Sequence, residues 1–299
     1  MKPKTVTHIG HIQDTHHNTL LKMWEVSVPE GHRPLNKHQH LSFEIMMVTS
    51  GSGIYTTASG SYPLLPGDMF VFSSNEWHCI TEVEKTGLNI TNLQFTPTFI
   101  RTGHSVAPDL ASTFNFNFCF YHNPAFQNRI PALDTQYLQT LFTSIKTELT
   151  VQQPEYALSV KSILLLLLIN LIRNHNYAEK ERSINTEQFV TIQQALSYID
   201  DHFTEKITLQ ELSTLAGLTP NYFCYLFKQV NGLTLSDYIC AKRIDKAVQL
   251  LAKNSYLTNI INIAADCGYN NTANFNKAFK KTTGMTPSEY RAGMHTMIS

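Results

Sequence analysis

Charge is scarce in this chain and neither sign of it prevails. Asp, Glu, Lys and Arg make up 15% of the 299 residues, 23 basic side chains are matched by 23 acidic ones, and 42% of the residues are hydrophobic. That balance excludes a self-repelling disordered chain and a protein that is basic throughout. Cysteine is also sparse: five residues, at positions 79, 119, 224, 240 and 267, form no CxxC pair and no zinc-like spacing. An odd, scattered set excludes a disulfide framework and fits reduced thiols. No long apolar run is present either. The strongest, Ile163 to Ile169, is bounded by Lys161 and Asn170 and falls well short of the roughly 20 residues that cross a bilayer. Met1 to Asp14 mixes Lys, His and Thr without the apolar stretch of a secretory signal. These absences describe a soluble, cytoplasmic protein with no membrane partner, long enough for two domains.

What the chain does have is a repeat. A shift of 52 positions superposes Phe223, Phe227, Lys228, Gly232, Thr234, Ser236 and Tyr238 on Phe275, Phe279, Lys280, Gly284, Thr286, Ser288 and Tyr290. Upstream the frame becomes 51, matching Leu212 with Ile263 and Gly217 with Gly268. A one-residue slip is tolerated at a turn and not within a helix. Two copies of one unit follow, each a helix, a glycine turn and a second helix. Thr208 caps a helix to Ala216, and Thr219-Pro220 opens the next with a cap and a first-turn proline. A long helix runs from Leu235 to about Asn254. Thr258 then caps Asn259 to Asp266, Asn271 caps Thr272 to Thr282, and Pro287 opens a final short helix. A lead-in helix spans Glu187 to His202. Between Lys206 and Arg291 ten basic residues face five acidic ones, so the neutral chain hides a basic segment suited to a polyanion.

The helix, glycine turn and helix arrangement places its second helix in a DNA major groove. In the first copy the outward positions are Asn221, Tyr222, Cys224, Tyr225 and Lys228. In the second they are Thr272, Ala273, Asn274, Asn276, Lys277 and Lys280. Phe275, Ala278 and Phe279 turn inward as core. Asn pairs with adenine, Thr meets a thymine methyl, and Lys serves guanine or phosphate. Lys242 and Arg243 on the long helix are either phosphate contacts or ties between helices. Two recognition helices reading successive turns of DNA would lie about 34 Å apart.

Residues from about His32 to Phe120 form short β-prone runs broken by Gly, Pro, Ser and Asn: Phe43 to Thr49, Gly53 to Thr57, Met69 to Phe72, Leu88 to Phe95 and Phe114 to Tyr121. Such a pattern predicts a β-barrel or sandwich. His38, His40 and Glu44 share one face of an extended strand by their even spacing, and His78 arrives after the Pro66-Gly67-Asp68 turn. This run resembles the first motif of the cupin superfamily, with a partial second motif in Gly60, Pro66, Gly67 and His78. In cupin enzymes these four side chains hold a divalent metal. The same positions can instead hydrogen-bond an organic ligand, and Trp77, with Trp24, Phe43 and Tyr55, supplies either pocket walls or ordinary core. The expectation is an organic effector, no cofactor and no metal.

In the middle, Leu138, Leu141, Phe142, Ile145 and Leu149 recur at helical spacing from Asp134 to Val151. After Pro154, Tyr156 to Asn174 is a second helix holding five consecutive leucines, Leu164 to Leu168. Leucines spread around a helix must be covered on more than one side, by the barrel and first helix or by a partner subunit. His175 to Asn185 reads as a linker.

Ile207 to Arg291 resembles the tandem helix-turn-helix domain of the AraC/XylS family of bacterial transcription regulators. The match is carried by Leu212-x-x-Leu215-Ala216-Gly217, Phe227-Lys228, Gly232, Tyr238, Arg243, Ile263-Ala264, Cys267-Gly268-Tyr269, Phe275, Phe279-Lys280, Gly284, Thr286-Pro287-Ser288 and Tyr290-Arg291. The resemblance implies a multidomain α+β chain: a cupin-like barrel for ligand sensing at 1–125, a helical dimerisation segment and linker at 126–185, and the DNA-binding domain at 186–299. Carried over position by position, it makes Asn221, Cys224, Tyr225, Thr272, Ala273, Asn276 and Lys277 base-reading residues. It implies promoter DNA, a sugar or sugar-derived effector, a homodimer and RNA polymerase as partners, and control of carbohydrate uptake or metabolism genes. A metal-dependent cupin enzyme with an accessory DNA-binding module is the alternative. A third reading is a DNA-binding protein whose barrel serves only to dimerise.

Overall fold

The computed structural model describes residues 4–13, 19–30, 37–57, 59–73, 76–96, 99–100, 127–175, 186–231, 233–253 and 259–295. They fall into two compact units, one of sheet with two helices and one of helices alone.

The first unit is one antiparallel sheet of seven strands: β1 (Thr5–Gln13), β2 (Thr19–Val28), β3 (Phe43–Thr57), β4 (Gly60–Leu64), β5 (Met69–Phe72), β6 (His78–Phe95) and β7 (Arg129–Ile130). The order is β1-β2-β6-β3-β5-β7, with β4 also on β3. The long strands β3 and β6 pair along most of their length through three register shifts. Bulges of this kind bend and twist a ladder. The bent sheet covers its own core, where Val26, Val28, Met46, Val48, Tyr55, Phe70, Phe72, Ile80 and Ile90 meet. The expected barrel is not closed: among the described residues the ladder runs from β1 to β7 and does not join its ends. The expected strands at Phe43 to Thr49 and Gly53 to Thr57 are one continuous strand, and Phe114 to Tyr121 lies outside the described residues. Of the aromatics read as possible walls, Phe43 and Tyr55 are core. Sequence reading missed β1 and β2, which begin well before His32. Their cue was the alternation of buried Leu21 and Met23 with half-buried Lys22 and Trp24.

The turn between β4 and β5 anchors the chain that follows the sheet. The buried Asp68 carboxylate accepts from Leu65 N, from Ala132 N and from Arg129 Nε. Helix α1 (Gln136–Val151) buries Leu138, Leu141, Phe142, Ile145 and Leu149, the stripe its periodicity specified, and packs against α2 and β1. Helix α2 (Tyr156–Asn174) buries Val160, Leu164, Leu167, Leu168 and Leu171. Leu158 and Leu166 remain exposed, so this chain covers one stripe of the leucine-rich helix. By length and composition α2 would suffice to cross a membrane; counting only the unbroken apolar run misses this, because Ser159, Lys161, Ser162 and Asn170 interrupt the run without ending the helix.

The second unit contains α3 (Thr186–His202), α4 (Leu209–Leu215), α5 (Pro220–Asn231), α6 (Leu235–Lys253), α7 (Ile260–Asp266), α8 (Thr272–Thr283) and α9 (Pro287–His295). Thr208 caps α4 in a reciprocal capping box with Glu211. Asn259, not Thr258, caps α7, its side chain accepting from Ile261 N; Thr258 lies outside the described residues, and Asn is among the strongest N-cap residues. Helix α6 touches α5, α7, α8 and α9 and serves as their common support.

The repeated residues build matching contacts. Phe223 and Phe227 have ring centroids 5.7 Å apart, as do Phe275 and Phe279. Phe227 meets Tyr238 edge-on at 5.6 Å, and Phe279 meets Tyr290 edge-on at 5.6 Å. Thr234 and Thr286 begin the helices that carry those tyrosines, bonding the carboxylates of Asp237 and Glu289 at 2.7 and 2.8 Å. Edge-to-face pairs and hydroxyl caps favour one geometry, so conserving them twice reproduces the scaffold twice.

Candidate functional site

Two groups of predicted residues can be located. On α5, burial of Phe223, Leu226, Phe227 and Val230 turns Asn221, Cys224, Tyr225 and Lys228 to solvent. Tyr222 stacks on Tyr225 at 6.2 Å and accepts a 2.6 Å hydrogen bond from Gln188 Nε2 of α3. On α8, Phe275 and Phe279 are buried while Ala273, Asn274, Asn276, Lys277 and Lys280 are exposed and Thr272 is half-buried. Asn271 caps this helix, accepting from Ala273 N and Asn274 N. Each helix therefore offers a polar outward face on a rigid support. α5 carries tyrosines and one lysine; α8 carries amides and three lysines, Lys277, Lys280 and Lys281.

Arg243 and Lys242 have partners inside the unit. Arg243 donates from Nε to the Phe203 carbonyl and from Nη2 to the Glu205 carbonyl, both at 2.7 Å, and lies over the Tyr269 ring. Lys242 Nζ is 2.6 Å from Asp200. Of the two roles open to these residues, the structure supplies the geometry of ties between helices.

In the sheet unit the structure gathers His38, His40, Glu44 and His78. His38, His40 and Glu44 do not share one straight strand, as their even spacing suggested, while His78 comes from β6, a neighbouring strand. His38 pairs with His78 in an isolated bridge through reciprocal backbone bonds of 3.2 and 3.0 Å, the chain bends at Leu41 and Ser42, and Glu44 is the second residue of β3. The His38 and His78 rings are 4.4 Å apart and those of His40 and His78 5.2 Å. His40 Nδ1 faces the Ser42 carbonyl at 2.8 Å and its Nε2 faces the Glu44 carboxylate at 3.1 Å. Burial by itself would raise the Glu44 carboxyl, but the His40 hydrogen bond and the three neighbouring imidazoles hold it down to about 2. Burial drives the His78 imidazole down to about 3. His78 Nδ1 donates to the Glu76 carbonyl at 2.9 Å, which leaves the lone pair on Nε2. Trp77, next in the chain, is covered instead by the Lys37 ammonium, 3.5 Å from its ring centroid.

Sequence reading missed Gln94, which donates to Glu44 at 3.2 Å. Only the β3 to β6 register sets Gln94 opposite Glu44, and nothing local to either residue announces that pairing.

A sheet unit holding a polar cluster, and a helical unit with two exposed, basic helix faces, define the class of ligand-binding, DNA-binding transcription regulators. Comparison with known proteins agrees. Residues 29–168 match the AraC-like ligand binding domain and residues 212–293 match a helix-turn-helix domain. The chain is 24% identical over 259 residues to the HTH-type transcriptional activator RhaR of Mannheimia succiniciproducens, covering 87% of this chain and 88% of that one. It is 23% identical over 273 residues to the HTH-type transcriptional activator RhaS of Escherichia fergusonii, covering 90% and 91%. Its fold is similar to that of an apo ToxT variant from Vibrio cholerae, with a TM-score of 0.60 and 14% identity over 92% of this chain and 97% of that one. The chain belongs to the AraC/XylS family of transcription regulators. These matches are to regulators, not enzymes, which removes the alternative reading as a cupin enzyme.

Proposed function

We propose that this protein is an effector-controlled regulator that binds promoter DNA through two helix-turn-helix units, α4 with α5 and α7 with α8, within residues 186–299. The observation that carries the reading is that two equivalent aromatic scaffolds hold unlike outward faces. Asn221, Cys224, Tyr225 and Lys228 read one segment of the site; Thr272, Ala273, Asn274, Asn276, Lys277 and Lys280 read the other. The target is therefore asymmetric within each subunit's site. Basic side chains at both faces support phosphate contacts, which release counterions and make binding salt-dependent.

Residues 1–125 form a cupin-like sensing domain for a small, polar effector. A sugar or sugar derivative suits a cluster of imidazoles, a carboxylate and an amide beside Tyr55 and Phe72, because such ligands present hydroxyl groups on an apolar frame. Residues 126–185 supply the dimerisation segment, supported by the exposed Leu158 and Leu166 of α2. RNA polymerase is the partner at the promoter, and the setting is the cytoplasm.

Mobility-shift titrations with fragments from carbohydrate-gene promoters, repeated across salt and sugar concentrations, test the proposal. Saturable binding that prefers particular fragments and weakens steeply with salt is expected. Uniform affinity for every fragment, whatever the salt or sugar, would sink it.

A further inference from the structure

We propose that Arg243 is a positioning residue: it fixes the roll of the two copies of the repeat about α6, and with it the base-pair spacing at which α5 and α8 read DNA together. The inference rests on the reading of those two helices as the DNA-binding faces and adds to it what sets the separation of their targets.

The two copies share one support. Tyr238, near the start of α6, packs on Phe227 of the first copy, while Ile244, Ala247 and Leu251 further along enter the core that holds Phe275 and Phe279 of the second. A shared helix fixes the distance along its axis but lets a copy packed on one side roll about that axis. At a packing distance of about 9 Å, a roll of about 20° carries a reading helix by roughly 3 Å, close to the ~3.4 Å step between base pairs. Contacts away from the axis are needed to hold the phase.

Two such contacts meet at Arg243. Its Nε and Nη2 donate to the Phe203 and Glu205 carbonyls, both at 2.7 Å, in the loop that leads from α3 into α4 of the first copy. Its guanidinium lies 5.6 Å from the ring centroid of Tyr269, which follows the glycine turn of the second copy and meets Phe275 of α8 edge-on at 5.3 Å. Between those two carbonyls, Thr204 approaches Gly268 so closely that a Cβ there would stand 2.3 Å from the Thr204 carbonyl oxygen. The backbone of one copy's entry loop therefore abuts the backbone of the other copy's turn, with no side chain between them to give way. Helix α3 carries the constraint to α5, since Lys242 of α6 binds Asp200 near its end at 2.6 Å and Gln188 near its start holds Tyr222 of α5. None of this repeats. Gly217, the counterpart of Gly268, has nothing within 4 Å of its Cβ position, and 52 residues beyond Arg243 the chain has His295. Contacts that build the scaffold occur in both copies; a contact that occurs once and joins the copies sets their relation to each other.

The chemistry selects arginine. A planar fork reaches two carbonyls while its face lies on a ring, whereas lysine offers a single point of charge. Arg243→Lys thus keeps the charge and releases the clamp, and Tyr269→Leu removes its other side.

The test uses the full-length protein in two arms. In the first, without DNA, spin labels are attached at Lys228→Cys and Lys280→Cys, equivalent positions on α5 and α8, with the accessible native thiols replaced by serine. Pulsed electron resonance should give one narrow distance distribution, broadened by Arg243→Lys and by Tyr269→Leu. Gly217→Ala, which strains a turn without touching the clamp, should leave it narrow. Widths unchanged in both clamp variants overturn the proposal. In the second arm, DNA selected by the wild type from a random pool is rebuilt with one base pair inserted or removed between the two contacted segments. Wild type and Gly217→Ala should lose about 10-fold or more in affinity, as a mismatched base pair commonly costs. Arg243→Lys and Tyr269→Leu should bind the original and altered spacings with nearly equal affinity. A spacing preference as sharp in those two variants as in the wild type shows that the clamp only stabilises, and also overturns the proposal. If the wild type selects no sequence, the DNA-binding reading fails instead, and the spin-label widths still judge the clamp.

Discussion

Gly217 and Gly268 occupy equivalent places in the repeat, and alanine at each should have unequal effects. Both residues are left-handed, with φ of 63° and 81°. An L-residue there costs about 1–2 kcal/mol, part of which the stiffer unfolded chain offsets by about 0.4–1 kcal/mol. At Gly217 that is the whole effect, because a Cβ would meet nothing within 4 Å. A Cβ on Gly268 would overlap the Thr204 carbonyl oxygen. Thr204 cannot yield easily, since Arg243 grips the carbonyls of Phe203 and Glu205 on either side of it at 2.7 Å. Overpacking against such a support adds about 1–3 kcal/mol. We expect Gly217→Ala to cost about 1 kcal/mol and Gly268→Ala about 2–4 kcal/mol. For a unit of this size the gap corresponds to roughly 10 °C in melting temperature. Thermal unfolding of the full chain followed by ellipticity, with hydrogen exchange of peptides from α4 and α7, measures it. Adding Arg243→Lys should free the Thr204 carbonyl and shrink the Gly268→Ala penalty below the additive value. Equal losses at the two glycines, or strict additivity with Arg243→Lys, would refute the reasoning.

Lys277→Ala should weaken promoter binding and reduce the slope of log affinity against log salt by about 1, read by fluorescence anisotropy at several salt concentrations; an unchanged slope would remove Lys277 from the interface. The exposed Cys224 should alkylate readily in the free protein and be protected by operator DNA, as mass spectrometry of the labelled peptides can show. Cys267, buried and pushed up to about 12, should react only after unfolding; rapid labelling of Cys267 in the native protein would contradict the packing around it. The double variant Leu158→Lys with Leu166→Lys places two charges on the exposed stripe of α2 and should shift the protein toward monomer in analytical ultracentrifugation without lowering helicity. A dimer that survives would exclude that stripe as the subunit contact.

Much of the helical unit was legible in the residues themselves. Caps at Thr208 and Asn271, Pro at 220 and 287, Gly at 217 and 268, and apolar residues spaced by a helical turn are local signals, and each acts within one or two turns of where it is written. The same locality made the stripe of α1 readable before its partner was known. The sheet was less legible because its meaning lies in pairing. β1 and β2 were missed, β3 was divided in two, and the expected barrel is an open, bent sheet. The cluster was anticipated with His78 on a neighbouring strand, but with His38, His40 and Glu44 on one straight strand; the structure joins them through a bridge and a bend instead.

The sequence alone determined that two copies of one scaffold present different outward faces, since buried and exposed positions follow from helical periodicity. Tertiary structure alone decided three further matters. It gave Arg243 its carbonyl partners near the end of α3, placed Gln94 against Glu44, and made Gly268 intolerant of a side chain that Gly217 has room for. Each depends on a contact between residues far apart in the chain, and such a contact leaves no periodic or local trace in either segment.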